Sequence, residues 1–507
     1  MRPEFGPWPG RTSAALSRAT AGVRLAGGEL RDVVPDGVKV VPDGAIDRAA
    51  GIWTALGNRR RERRADRRFA ARERPEREPA PDAPQHVVCV VVDALRADAL
   101  DGDGTPFLSG LSGGDAISTS TWTFPAIASL MSGRYPHDHG AMRRSDSFAD
   151  SVEDVTGLPE PIPDDEPLLS DALAGAGYRT YGAFGFVVPF LALRGRFETH
   201  ALYEDAPAAR LLADHAAWLA DHREERTFSY LHLADCHEPV DPPAGYWEAH
   251  GVADLPGIRG WRHEDVVEPT PTVERFRRHR RRLYDAAVEY VDNRLSAHHN
   301  RVSDLAGGDV ALAVVGDHGE GFWERAAFHA EHFADPRPAH CVGHGGAPYE
   351  AVVRVPVRTA GLGVARADAD GCGNERERLT SLLDAAPTIA EVVGVDLPDA
   401  PDAVPLGRSI PDERVVLVEG VRYGYEKKAA YVRGGEQTWK RLVSRGDDVD
   451  TTIELPGAVH RPPPEAIGRR LRDALPSWPG ENRTRPGRTD GELSSDLERR
   501  LDRLGYR

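Results

Sequence analysis

The stretch Val87–Asp98 reads VVCVVVDALRAD and follows His86. A continuous run of Val and Cys with no polar alternation is the pattern of a strand buried on both faces, as in a parallel sheet covered by helices. Asp93 stands at the C-terminal end of that run. Ligands of open α/β sheets sit at this end of the strands. A carboxylate there needs a cation or several donors to offset its desolvation. Asp93 is therefore a candidate metal ligand, and the remaining pieces are located from it.

Two further apolar runs repeat the pattern. FSYLHL (228–233) is followed by Asp235 and His237, and ALAVV (311–315) by Asp317 and His318. Helical spacing of apolar residues in LLSDALAGAG, RLLADHAAWLADH, RRLYDAAVEYVDNRLSAHH and LTSLLDAAPTIAEVVGV places helices between and after the strands. This alternation predicts an α/β fold with a mainly parallel central sheet sandwiched by helices. From about residue 410 the run ERVVLVEGVRYGYEKKAAYVRGGEQTWKRLVS reads as short strands around the turn RGGE, predicting a small C-terminal antiparallel sheet. SSDLERRLDRLGYR at the chain end reads as a terminal helix.

Before the first strand, residues 1–80 form an extension with two amphipathic patterns and the dense run RRRERRADRRFAARERPERE. Because Glu and Asp interleave with Arg, the plain expectation is a solvated, charge-mixed linker; a weak contact with a membrane surface is the sharper alternative. PAPDAP closes this segment. The expected organisation is thus an extension over 1–80, a catalytic core over 81–409, and a small C-terminal subdomain with a tail helix over 410–507.

The 507 residues carry a net charge of -16, which argues against nucleic acid as a partner. The four cysteines show no CxxC spacing, so zinc-ribbon and redox motifs are not expected. The N-terminus lacks the apolar core of a secretory signal and no apolar run is long enough to span a bilayer, so a cytoplasmic protein is the default expectation.

Between the first and second runs Thr and Ser dominate before Pro125, and AIASLMSG then reads as a short helix opening just after Thr123. A hydroxyl at a helix N-terminus meets the positive end of the dipole, which favours an alkoxide attacking an anionic ester. Hard oxygen ligands with an imidazole suit a divalent cation such as Mn, Zn, Mg or Ca.

In order, VVVDALRAD, TFPAIASLMSGRYPHDHG, LHLADCHEP, VVGDHGEG and GHGGAPYEAVVRVPV resemble successive motifs of the sulfatase branch of the alkaline phosphatase superfamily, over roughly residues 85–445. The resemblance implies that Asp93, Asp317 and His318 bind a divalent metal. It implies that Thr123 is the nucleophile and that His237 contacts the ester oxygens or leaving group. His344 would lie near the metal, as a second-site ligand or a substrate contact, and Asp235 could join it. Three departures carry weight. Sulfatases place Cys or Ser at the nucleophile, for oxidation to formylglycine, and a second acid after the first strand; here the positions hold Thr123 and Ala94, and the family's following Arg is replaced by Ile127. The combination resembles phosphodiesterases and phosphoglycerol transferases of the superfamily. Asp235 and His237 are two residues apart, whereas the two-metal phosphodiesterases space that pair by four, so one metal is expected rather than two. The expected activity is hydrolysis of phosphate rather than sulfate esters, on a small-molecule, glycan or lipid substrate. Transfer of a phospho-group to a lipid or glycan, or a non-catalytic binding role, are the alternatives.

Overall fold

The computed structural model describes residues 43–478, apart from 144–147, 149–158, 160, 204–205, 256–257, 260–270, 338–341, 365–378, 398–399 and 457–458. The tail helix expected at 494–507 lies outside the described residues.

The apolar runs become the centre of a seven-stranded sheet. Its strands are β1 (His86–Val92), β2 (Ser112–Ile117), β3 (Arg179–Phe184), β4 (Thr199–Leu202), β5 (Thr227–Leu233), β6 (Val310–Gly316) and β9 (Arg354–Ala360). Two-residue strands β7 (Gly321–Phe322) and β8 (Val342–Gly343) pair separately. The order is β2-β9-β6-β1-β5-β3-β4. The ladders from β6 to β4 are parallel, and β9 alone runs against its neighbours. Every residue of β1, β5 and β6 is buried.

The two faces of β1 feed different layers, as a side-chain period of two requires. Val87, Cys89 and Val91 pack with Ile127, Leu130 and Ile389. Val88, Val90 and Val92 pack with Leu211, Leu283 and Val291 on the other face. A fully buried Val contributes on the order of 1.5–3 kcal/mol relative to exposure. A one-residue slip would exchange the two sets and break both layers. The helices supplying these contacts are α2 (Thr123–Ser132) and α5 (Ala385–Val393) on one side, α3 (Ala208–Asp221) and α4 (Pro271–Leu305) on the other.

The described part of the extension, from residue 43 on, is not a solvated linker throughout. Residues Asp43–Ala70 form one 28-residue helix, α1. Its acids are used against the free edge of β4. Leu202 N donates to Glu62 Oε1 at 2.8 Å, and His200 N donates to Asp66 Oδ1 at 3.0 Å. Asn58 Nδ2 donates to the Leu202 carbonyl at 3.2 Å. An unpaired strand edge invites association with other chains, and this helix closes it. Of the interleaved acids, Glu62 and Asp66 turn inward to β4, while Glu73, Glu76 and Glu78 stay exposed.

The C-terminal expectation of a small antiparallel sheet holds: β10 (Val415–Val418), β11 (Lys428–Gly434), β12 (Gln437–Ser444), β13 (Val449–Leu455) and β14 (Val459–His460) pair in sequence order. It is fastened to the core by the buried pair Arg414 Nη1 to Asp384 Oδ2, 2.7 Å. The loop after β10 lies along the segment leading into α2: Glu419 N donates to the Thr119 carbonyl at 3.0 Å, and Trp122 Nε1 to the Gly420 carbonyl at 2.6 Å. The segment leading into Thr123 is thereby clamped between the large sheet and the small one.

Candidate active site

Register places the acids. Val92 pairs with Gly316 on one side and Leu233 on the other. The next residues, Asp93 and Asp317, therefore emerge side by side at the C-terminal edge of the sheet, both buried. Asp93 N is held by the Leu233 carbonyl at 2.9 Å. Ala94 takes a left-handed φ of 60°, and its amide donates to Asp317 Oδ1 at 3.2 Å. The position where sulfatases carry a second acid is here spent on holding the second strand's carboxylate. Strained backbone of this kind persists where the surroundings over-determine it; Tyr284 supplies part of that constraint, its hydroxyl donating to the Ala94 carbonyl at 2.8 Å.

Thr123 is the first residue of α2, with Trp122 in extended conformation before it and Gly133 in a left-handed turn at the other end. Pro125 suits the first turn, where its missing N–H is not needed. Thr123 Oγ1 lies 3.3 Å from Asp93 Oδ2 and 3.2 Å from His318 Nε2. His318 Nε2 is 3.3 Å from Asp93 Oδ1 and 3.6 Å from Asp317 Oδ2. His318 Nδ1 faces the Gly319 carbonyl at 2.8 Å. A carbonyl only accepts, so Nδ1 carries the proton and Nε2 presents a lone pair toward the two carboxylates. Gly319 permits this turn: a Cβ there would collide with the Ala351 carbonyl oxygen. Ile127, where the family carries Arg, is buried in the apolar layer on α2.

Two carboxylates and an imidazole lone pair converging in a buried space leave negative potential uncompensated. Asp93 Oδ1 and Asp317 Oδ2 are buried and have no hydrogen-bond donor. That donor set fits a divalent cation. Burial, and then the Asp93 charge, push the Asp317 carboxyl up. Burial acts the same way on Asp93, but His237, the hydrogen bond from His232 and His318 outweigh it and hold the group down to about 2.

His232 is a site residue that the sequence reading passed over. Its Nε2 is 2.9 Å from Asp93 Oδ2, and its Nδ1 is 2.9 Å from the Tyr230 hydroxyl. Asp93, His232 and Asp317 together form a second arrangement able to hold a cation. The available signal was a lone His inside a fully buried apolar strand, near its ligand end.

His237 and His344 do join the cluster. The His344 ring lies 4.3 Å from that of His318 and 4.8 Å from that of His237. His237 Nδ1 faces the Glu238 carbonyl at 2.7 Å, so its Nε2 is the basic nitrogen. Burial lowers its pKa. His344 Nδ1 is 3.3 Å from Glu320 Oε2, an acid pushed well up by burial and then by the Glu238 charge. Glu320 was also not singled out from sequence, although it ends the Asp-His-Gly-Glu tetrapeptide.

Asp235 does not join it. Both its oxygens face the Ala208 amide, at 3.1 and 3.0 Å, at the start of α3. A carboxylate at a helix N-terminus is satisfied by backbone donors and the dipole. The turn after β5 sends His237 toward Asp93 and Asp235 toward the helix, which removes Asp235 from the ligand set expected for a second metal.

With this geometry in view, the comparisons with known proteins are decisive about ancestry. The family model described as Sulfatase matches residues 85–395. The chain belongs to the sulfatase family. A search of curated proteins found no sequence match. Among solved structures, this sulfatase-family chain is similar to BT4656 in complex with its substrate D-glucosamine-2-N,6-O-disulfate, at 13% identity and a TM-score of 0.51, covering 79% of this chain and 93% of that one. It is also similar to the phosphonate monoester hydrolase SpPMH from Silicibacter pomeroyi, at 17% identity and a TM-score of 0.49, covering 73% and 89%. The lipoteichoic acid synthase LtaP from Listeria monocytogenes gives 13% identity and a TM-score of 0.49, covering 81% and 95%. At these identities the likeness concerns the fold.

Proposed function

We propose that this sulfatase-family chain is a metal-dependent hydrolase of phosphate esters with Thr123 as nucleophile. The observation that supports the reading most is the placement of Thr123 Oγ1, 3.3 Å from Asp93 Oδ2 and 3.2 Å from His318 Nε2, at the N-terminus of α2. Threonine bears a methyl on its β-carbon, so oxidation there cannot yield the aldehyde of formylglycine. The hydroxyl itself must act.

Asp93, Asp317 and His318, with the Thr123 oxygen, would hold the cation. When bound, a divalent ion supplies positive charge that lowers the hydroxyl pKa and offsets charge on the phosphoryl oxygens. The Thr123 proton has Asp93 Oδ2 as an acceptor within reach. Thr123 Oγ1 forms the bond to phosphorus as the ester oxygen leaves. The leaving oxygen takes a proton from His237 in its protonated form. Neutral His237 Nε2 then accepts a proton from water, whose oxygen bonds to phosphorus as the P–Oγ1 bond breaks and Thr123 Oγ1 regains its proton from Asp93. The α2 dipole favours the anionic oxygen throughout.

The test compares an aryl phosphodiester with the corresponding aryl sulfate, using protein stripped with chelator and reloaded with Mn, Zn, Mg or Ca singly. The reading expects phosphodiester turnover that requires a metal and exceeds sulfate turnover. Sulfate turnover above phosphodiester turnover, or full activity in chelator, contradicts it.

A further inference from the structure

We infer that the outer face of α1 is a docking surface for an anionic lipid bilayer. The inward side of this helix is accounted for: Asn58, Glu62 and Asp66 bond to β4, and Ala65 and Phe69 are buried. Arg59, Arg60, Arg63, Arg64 and Arg67 are all exposed. At 3.6 residues per turn these five fall within an arc of about 140°. Among the described residues none of the five forms an ion pair, whereas Arg68 and Arg72 are bound to Asp164. Within α1 the charges are therefore segregated, with Glu62 and Asp66 against the sheet edge and these five arginines toward solvent, while Glu73, Glu76 and Glu78 beyond the helix are exposed.

The occupant follows from charge and shape. The chain carries a net charge of -16, so this stripe is a local exception on an acidic molecule. A nucleic acid gains affinity from the number of phosphates neutralised, and a single straight stripe reaches few of them on a curved duplex. A flat anionic surface needs only one basic face, and each arginine near it adds to adsorption. Among the described residues no helix is long and apolar enough to cross a membrane, so the contact is adsorption and not insertion.

The direction of α1 gives this contact a consequence. Asn58 meets Leu202 and Asp66 meets His200, so α1 runs opposite to β4. Its N-terminal part extends past the C-terminal ends of the strands, the same end that carries Asp93 and Asp317. Residues 43–57 continue the helix for about 22 Å in that direction. A bilayer held by α1 would lie beside the mouth of the site, which suits an ester presented at the headgroup surface. That last step rests on the phosphate-ester reading; the docking face does not.

The experiment is co-sedimentation of the full chain with vesicles of phosphatidylcholine plus phosphatidylglycerol and with vesicles of phosphatidylcholine alone. The comparison protein is R59Q/R60Q/R63Q/R64Q/R67Q, and R59Q/R63Q serves as a milder variant. Gln matches Arg in helix propensity, and both variants should keep the wild-type circular dichroism and melting temperature. The expected result is salt-sensitive binding to the anionic vesicles only, weakened by about a thousandfold or more in the fivefold variant and by about thirtyfold in the double variant. Soluble aryl phosphodiester turnover is expected to be equal in all three proteins. Equal vesicle binding by all three, no binding by the wild type, or preferential capture of a duplex oligonucleotide overturns the inference. Loss of vesicle binding in the variants, with no phosphodiester turnover in any protein, would leave the docking face standing and refute the catalytic reading.

Discussion

Asp93 and Asp317 occupy equivalent steps on adjacent parallel strands, each one residue beyond the paired Val92 and Gly316. Two buried carboxylates so placed repel, and burial and Asp93 together push Asp317 up. A bound cation removes that repulsion in the folded state alone. Adding the activating metal at a hundredfold its Kd should stabilise the protein by about 2.7 kcal/mol. Asp317→Asn should lose most of that gain in a thermal melt. An equal metal-induced shift in the two proteins would place the ion elsewhere.

His237 is assigned to the leaving group, so its removal should be felt in proportion to how much the leaving group needs a proton. His237→Ala is expected to slow an alkyl phosphodiester by about a hundredfold and a nitrophenyl phosphodiester far less. Steady-state rates over a series of leaving groups check this. A uniform loss across the series would assign His237 to binding the phosphoryl oxygens.

Asp235 gives a pH-dependent prediction away from the reacting atoms. Burial raises its pKa from the ordinary 3.8 to about 6, despite the Ala208 amide. The folded state therefore binds a proton more readily than the unfolded chain between those values. Stability contributed by this group is present below the unfolded pKa and is lost as pH rises through about 6. Asp235→Asn keeps an acceptor for Ala208 and removes the buried charge. Denaturant melts should show the variant gaining relative to wild type at pH 7.5, with the gain shrinking toward pH 4. A constant difference across that range would rule out the titration.

The two sheets share a buried fastening. Asp384 accepts from Arg414 and from the amides of Ser381 and Val404. Asp384→Ala leaves a buried guanidinium without its partner and is expected to cost about 3–5 kcal/mol. Chemical denaturation measures it. A cost below about 1 kcal/mol would mean that the pair behaves as a surface bridge.

Much of this arrangement was legible because β-branched runs have few alternatives. Val87–Val92 and Ala311–Val315 are too short for core helices and too apolar for edge strands, so they announced the sheet and, through the residues after them, Asp93, Asp317 and His318. Thr123 was legible from the hydroxyl-rich stretch before Pro125 and from the family motif, although the helix itself starts at Thr123, three residues ahead of AIASLMSG. His232 was not, because an imidazole inside an apolar strand reads as core until Asp93 is seen across the ladder. Asp235 misled for a local reason: two residues separate it from His237 in sequence, but the turn after β5 directs them to different partners. Nor could the sequence order of RRRERRADRR separate acids from arginines; the edge of β4 does that, by drawing Glu62 and Asp66 to its free backbone groups.

The central claim is that the Thr123 oxygen makes the bond to phosphorus. It is tested most directly by kcat on an aryl phosphodiester for the metal-loaded wild type and for Thr123→Ala, with metal content measured in both. The account predicts loss of at least about a thousandfold in the variant, with metal still bound through Asp93, Asp317 and His318. Undiminished turnover by metal-loaded Thr123→Ala would contradict it.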